Sequence, residues 1–165
     1  MQGRVISFAM SEPSPLAVAV VGVGHLGRHH LRLARTLPGW RCVGAFDPER
    51  GRLEAMCAEF GAEPLVNVDD AVARCEAVVI ASPTATHREV AERFITAGRH
   101  VLVEKPIAAS VAEAGEMVSL AKRHNVVLGV GHVEYFNPAV QAVVARAPRP
   151  RYLEAQRLSP FTRLP

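Results

Sequence analysis

Leu16-Ala17-Val18-Ala19-Val20-Val21-Gly22-Val23-Gly24-His25-Leu26-Gly27 is the stretch on which the reading of this chain turns. An unbroken aliphatic run reads as a strand buried on both faces. Glycines spaced GxGxxG follow at once, and behind them Leu26, His30, Leu33, Ala34 and Leu37 recur at helical steps. A strand, a glycine-rich turn and a helix in that order make a cradle for a diphosphate. Gly22 permits the tight turn, Gly24 lets the backbone approach the anion, and Gly27 allows close helix–strand packing. The helix start adds free N–H donors and a partial positive charge, so His25 and Leu26 join the glycines as candidate cofactor residues. Alone, GxGxxG is a weak signal; its placement between strand and helix carries the reading.

Outward from the cradle, Pro38-Gly39 ends the helix and Trp40 to Phe46 reads as a second strand. Asp47 is expected to cap the next helix, with Pro48 at its first position and Gly61 closing it. A third strand is expected near residues 64–66, then a short helix around residues 70–74. Residues 77–81 read as a fourth strand. Thr86-x-x-Glu89 and Ser110-x-x-Glu113 are capping boxes opening two more helices, the first stopping at Gly98 and the second reaching about His124. Residues 100–103 and 126–130 are the fifth and sixth strands, and Asn137-Pro138 caps a last helix.

This alternation predicts an α/β doubly wound parallel sheet, a dinucleotide-binding Rossmann domain over residues 15–148. Residues 1–14 read as a disordered leader. Past the Pro-rich residues 147–150, residues 152–158 alternate apolar and polar as a half-exposed strand does. Residues 149–165 are therefore read as a linker and the first strand of a truncated second α+β domain.

The 165 residues are 49% hydrophobic and 21% charged, but only 5% aromatic, which suits an aliphatic core between sheet and helices. A net charge of +3, scattered along the chain, argues against nucleic acid as partner. No run approaches the roughly 18 apolar residues of a membrane span, and residues 1–10 are too weakly apolar for a secretory signal. Cys42, Cys57 and Cys75 are odd in number and lack zinc-ligand spacing, so they read as reduced, buried thiols of a cytoplasmic protein that binds no metal.

Asp47 ends the second strand, twenty residues beyond Gly27, where a carboxylate accepts the adenosine ribose hydroxyls and repels a 2′-phosphate. NAD is thus expected over NADP, with Arg50 and Arg52 softening the discrimination; a plain capping role for Asp47 is compatible with this. In open α/β sheets ligands lie beyond the carboxyl ends of the strands. Ser82-Pro83-Thr84-Ala85-Thr86-His87 and Glu104-Lys105-Pro106 both reach that edge. The Lys105 ammonium there suits hydrogen bonding to a substrate hydroxyl as hydride leaves its carbon. Gly129-Val130-Gly131-His132 repeats the first letters of the cradle without its third glycine, and no phosphate role is assigned to it.

Together, Gly22-x-Gly24-x-x-Gly27-x-x-His30, Asp47, Ser82-Pro83-Thr84 with His87, and Glu104-Lys105-Pro106 resemble the glucose–fructose oxidoreductase/inositol dehydrogenase (Gfo/Idh/MocA) family, from about Leu16 onward. The resemblance implies an NAD-dependent oxidoreductase taking hydride from a secondary hydroxyl of a sugar. It implies that Lys105 binds the reacting hydroxyl as the catalytic residue and that Thr84 lies against the cofactor. It also implies that a second domain supplies the acid/base histidine, so that this chain alone binds cofactor but turns over poorly. A homo-oligomer is expected of the full-length form.

His132-Val133-Glu134-Tyr135-Phe136-Asn137-Pro138 resembles the His-x-Glu-Arg-Phe-Asn-Pro segment of UDP-N-acetylglucosamine 3-dehydrogenase-like members, with Tyr135 where Arg is expected. His132, Tyr135 and Asn137 are on that basis candidate substrate contacts, and Asn137 equally a helix cap. His30 reads as a packing residue. His87 either packs the start of its helix or sits near the cofactor. The alternatives to a nucleotide-sugar substrate are a cyclitol or small diol, or a non-catalytic NAD-binding sensor.

Overall fold

The computed structural model describes residues 14–146 together with 151, 152, 154 and 156. The expected leader, and most of the strand expected at residues 152–158, lie outside them. Contacts divide the chain after Gly131, ahead of the Pro-rich segment where the sequence suggested a boundary.

The unit ending at Gly131 is built on a five-stranded, wholly parallel sheet in the order β2-β1-β3-β4-β5. Its strands are β1 (Leu16–Val21), β2 (Trp40–Phe46), β3 (Ala77–Ile80), β4 (His100–Val103) and β5 (Leu128–Val130). Between them run α1 (Gly27–Thr36), α2 (Arg50–Phe60), α3 (Val68–Arg74), α4 (His87–Thr96) and α5 (Val111–Arg123). In β1 the alternation is strict. Ala17, Ala19 and Val21 pack with Phe94 and Ile95 of α4 and Met117 of α5, whereas Val18 and Val20 pack with Leu31 of α1 and Leu53 of α2. Burial on both faces is why the strand reads as an aliphatic run with no polar partner residues. The sheet order reverses direction between β1 and β3, which opens a crevice at their carboxyl ends.

Three local expectations are corrected. Residues 64–66 form no strand, only a parallel bridge from Pro64 to Ala45. Proline lacks the N–H needed to extend a ladder, and the chain turns directly into α3, capped by Asn67. Asp47 does not cap α2; Glu49 does, accepting from the amides of Gly51 and Arg52. Thr86 makes no cap for α4, because its hydroxyl lies 2.8 Å from both Ser82 Oγ and the Pro83 carbonyl, at the end of a short 3₁₀ turn. At α5 half of the expected box forms: Ser110 accepts from the Glu113 amide, while the Glu113 carboxylate accepts from the Ala109 amide, one residue ahead of the cap.

The unit starting at His132 holds a 3₁₀ turn (Val133–Phe136) and α6 (Pro138–Arg146). Asn137 Oδ1 accepts from the Ala139 amide, the expected cap. Among the described residues no helix is long and apolar enough to cross a membrane.

Candidate cofactor site and catalytic edge

The three cradle glycines are required for different reasons. Gly22 has φ +87°, and a Cβ there would lie 2.6 Å from the Ser82 amide nitrogen, so the first turn presses on the exit of β3. A Cβ on Gly27 would stand 1.9 Å from the Gly22 carbonyl oxygen. Gly24 differs: nothing lies within 4 Å of its Cβ position, and its φ is not of the left-handed kind. No neighbour in the protein demands glycine there. The space is open to a ligand lying against the backbone, and this residue set fits a diphosphate. The amides of Gly24, His25 and Leu26 have no hydrogen-bond partner among the described residues, and α1 has no side-chain cap. Donors are therefore left free at the start of α1, where an anion is expected.

Asp47 is 5% exposed. Its Oδ2 accepts from the Val23 amide at 2.9 Å and its Oδ1 from the Glu49 amide at 2.9 Å. The Arg52 guanidinium pairs with both oxygens, Nη2 to Oδ1 at 2.6 Å and Nε to Oδ2 at 3.2 Å. Burial on its own would push this carboxyl up, but the Arg52 pair and the two amides outweigh it and hold the group below its ordinary value.

A cleft of ≈ 540 Å³ joins these parts. It is lined by Gly24 and Leu26 of the first loop, Asp47 and Arg52 after β2, and Ser82 and Pro83 after β3. Thr84 and His25 stand in the same two loops, both only partly covered or exposed. Another hollow, ≈ 490 Å³, lies between α4 and α5, where Arg88 is paired with Glu116 at 2.7 Å.

His87 is 1% exposed, with Nδ1 at 3.0 Å from the Pro106 carbonyl and Nε2 at 2.9 Å from the Ser82 carbonyl. It packs the start of its helix and ties the loop after β3 to the loop after β4. Glu104 is 7% exposed; one oxygen meets His30 Nε2 at 2.7 Å and the other accepts from the Lys105 amide at 3.1 Å. His30 is thus no mere packing residue. The signal was its position three residues after Gly27, one turn along the helix face that meets the sheet.

Gly131 was also passed over: a Cβ there would come within 3.0 Å of Glu104 Oε1, so this glycine clears room for the buried carboxylate. Lys105 follows at the exit of β4 through a cis bond to Pro106, and it is exposed, with its ammonium unpaired among the described residues. His132, Tyr135 and Asn137 belong to the second unit. There His132 and Tyr135 are exposed, and Asn137 Nδ2 donates to Glu134 at 2.9 Å.

Comparison with known proteins agrees with this architecture. The chain is 38% identical over 147 residues to UDP-N-acetylglucosamine 3-dehydrogenase of Acidithiobacillus ferrooxidans, covering 88% of this chain and 46% of that protein. The solved structure of that enzyme superposes with a TM-score of 0.73 over 79% of this chain and 41% of the other. Inositol 2-dehydrogenase 1 of Saccharopolyspora erythraea is 38% identical over 129 residues, 74% of this chain and 38% of its own. GenD2 from gentamicin A biosynthesis, solved in complex with NAD, gives a TM-score of 0.78 at 30% identity, over 87% of this chain and 42% of that one. The chain spans less than half the length of each of these relatives. Residues 16–132 match the Gfo/Idh/MocA oxidoreductase family with its NAD-binding Rossmann fold, and the chain belongs to that family.

Proposed function

We propose that this chain is the cofactor-binding half of an NAD-dependent dehydrogenase that oxidises a secondary hydroxyl of a sugar, in the first instance a nucleotide sugar such as UDP-N-acetylglucosamine at its 3-hydroxyl. The observation that carries the reading is the unfilled space at Gly24, opening on a cleft that also holds Asp47. When bound, the nicotinamide supplies the hydride acceptor. The chain's own residues do the rest. Amides of Gly24, His25 and Leu26 face the diphosphate, Asp47 accepts ribose hydroxyls, and Ser82, Pro83 and Thr84 border the cofactor after β3.

Lys105 is the catalytic residue in this reading. Its ammonium donates to the substrate hydroxyl oxygen and stabilises the negative charge that grows there as the C–H bond breaks. Glu104 and His87 act behind it, holding the loop from both sides. His132, Tyr135 and Asn137 supply substrate contacts from the segment after β5. An exposed ammonium at the carboxyl edge serves no purpose in a pure sensor, which disfavours that alternative. The inositol dehydrogenase likeness, at the same 38% identity, supports a cyclitol as the second substrate reading. Free thiols at Cys42, Cys57 and Cys75 accord with a cytoplasmic protein.

Calorimetric titration of the chain with NAD tests the cofactor half of the proposal, and saturable one-to-one binding is expected. A screen of UDP-sugars and inositols for NADH formation by the complete gene product tests the substrate half. NADH from inositols and none from UDP-sugars would move the substrate to the cyclitol class.

A further inference from the structure

Asp47 carries two different kinds of partner. The amides of Val23 and Glu49 are fixed by backbone at 2.9 Å each, one on each carboxylate oxygen. The second position on each oxygen is taken by Arg52, at 2.6 and 3.2 Å. A carboxylate offers about four lone-pair sites, so Asp47 is saturated within its own chain. Hydroxyls arriving at it must displace a donor, and only one can leave. Arg52 stands in the first turn of α2 on a flexible stem, its side chain 43% exposed, and it lines the same cleft as Asp47. Arg50 is not its equivalent, being turned to Glu54 at 2.7 Å and 89% exposed.

We infer that Arg52 is a movable latch that sets how sharply this site separates NAD from NADP. The ribose hydroxyls of NAD take its place on Asp47, and a 2′-phosphate, which Asp47 alone would repel, is met by the released guanidinium. A planar guanidinium suits phosphate oxygens as well as carboxylate oxygens. Glu49, whose carboxylate is spent on the amides of Gly51 and Arg52, keeps a second negative charge nearby, so NAD stays preferred while NADP is admitted. The inference rests on Asp47 being the ribose acceptor of the proposed cofactor site.

The test is titration of the unaltered chain, Arg52→Gln and Arg52→Lys with NAD and with NADP, at one ionic strength, with circular dichroism as a check on folding. The unaltered chain should bind both cofactors, NAD more tightly. Arg52→Gln should leave NAD binding equal or tighter and weaken NADP by about tenfold or more, the scale of a lost charge-assisted hydrogen bond. Arg52→Lys should retain most of the NADP binding. Independent of any variant, adenosine 2′,5′-bisphosphate should displace NAD from the unaltered chain, less effectively as salt rises. NAD binding without detectable NADP binding, or equal loss of both cofactors in Arg52→Gln, would overturn the latch and leave the cofactor site standing. Failure of the unaltered chain to bind either cofactor would overturn both.

Discussion

His30 on the first helix and Glu104 at the end of the fourth strand meet at 2.7 Å, with 17% and 9% of their side chains exposed. This contact joins the helix that bears the diphosphate cradle to the segment that bears Lys105, across 74 residues of sequence. Removing the imidazole leaves a buried carboxylate oxygen without its donor. His30→Ala should therefore lower stability by about 1–3 kcal/mol in urea denaturation, with partial recovery in His30→Gln. A loss below about 0.5 kcal/mol would show that water replaces the imidazole freely.

Gly24 and Gly27 should separate binding from folding. Gly24→Ala places a methyl group in open space, so stability should change by no more than about 1 kcal/mol while NAD titration shows binding lost or severely weakened. Gly27→Ala drives a methyl group into the Gly22 carbonyl and should cost about 3 kcal/mol or more. Thermal melts with and without NAD distinguish the two, and a Gly24→Ala chain that binds NAD normally would remove the diphosphate from the first turn.

The Asp47 carboxyl lies below its ordinary value of 3.8, since Arg52 and the two amides outweigh the opposing effect of burial. A group with a lowered folded pKa adds stability that is present above the unfolded value and lost as pH falls through the folded one. The chain should lose this contribution below about pH 4. Asp47→Asn should be less stable at neutral pH and show a flatter acid limb; an unchanged limb would mean the ion pair contributes nothing to folding.

Burial pushes the Cys75 thiol up to about 11. At pH 8 it is protonated and enclosed, so iodoacetamide should modify it only after denaturation, as read by peptide mass spectrometry. Its raised value adds stability that is complete below the unfolded value and fades as pH rises through about 11. Native-state labelling of Cys75 at the rate of a free thiol would contradict its place against the sheet.

Lys105→Ala in the complete gene product should cut turnover by about 10²-fold or more with little change in NAD affinity, because the ammonium is exposed and joins no part of the core. Stopped-flow NADH formation beside NAD titration separates the two effects. Parental turnover would take Lys105 out of the chemistry.

The strand, turn and helix around Gly22, Gly24 and Gly27 were legible in the sequence because each requirement is local: an aliphatic run, then glycines at the spacing a strand-to-helix turn imposes. The missing third strand was not, because residues 64–66 satisfy the apolar pattern while Pro64 withholds the N–H a ladder needs. The cap of α2 was misread by two residues for a different reason. Asp47 and Glu49 are both acceptable caps by local rules, and Asp47 is claimed by the Val23 amide, 24 residues upstream. The roles of His30 and Gly131 likewise depend on Glu104, which only the folded sheet brings to them.

The hydrogen bonds that Asp47 accepts from two backbone amides constrain how cofactor preference can drift in descendants of this chain. Exchanging the acid for a small neutral residue is the direct route to a phosphorylated cofactor, yet here it would strand the N–H groups of Val23 and Glu49 and loosen the glycine-rich loop after β1. Selection for the other cofactor would thus find position 47 closed and would act first on the side chains around it, changing charge at the rim while the buried acid stays in place.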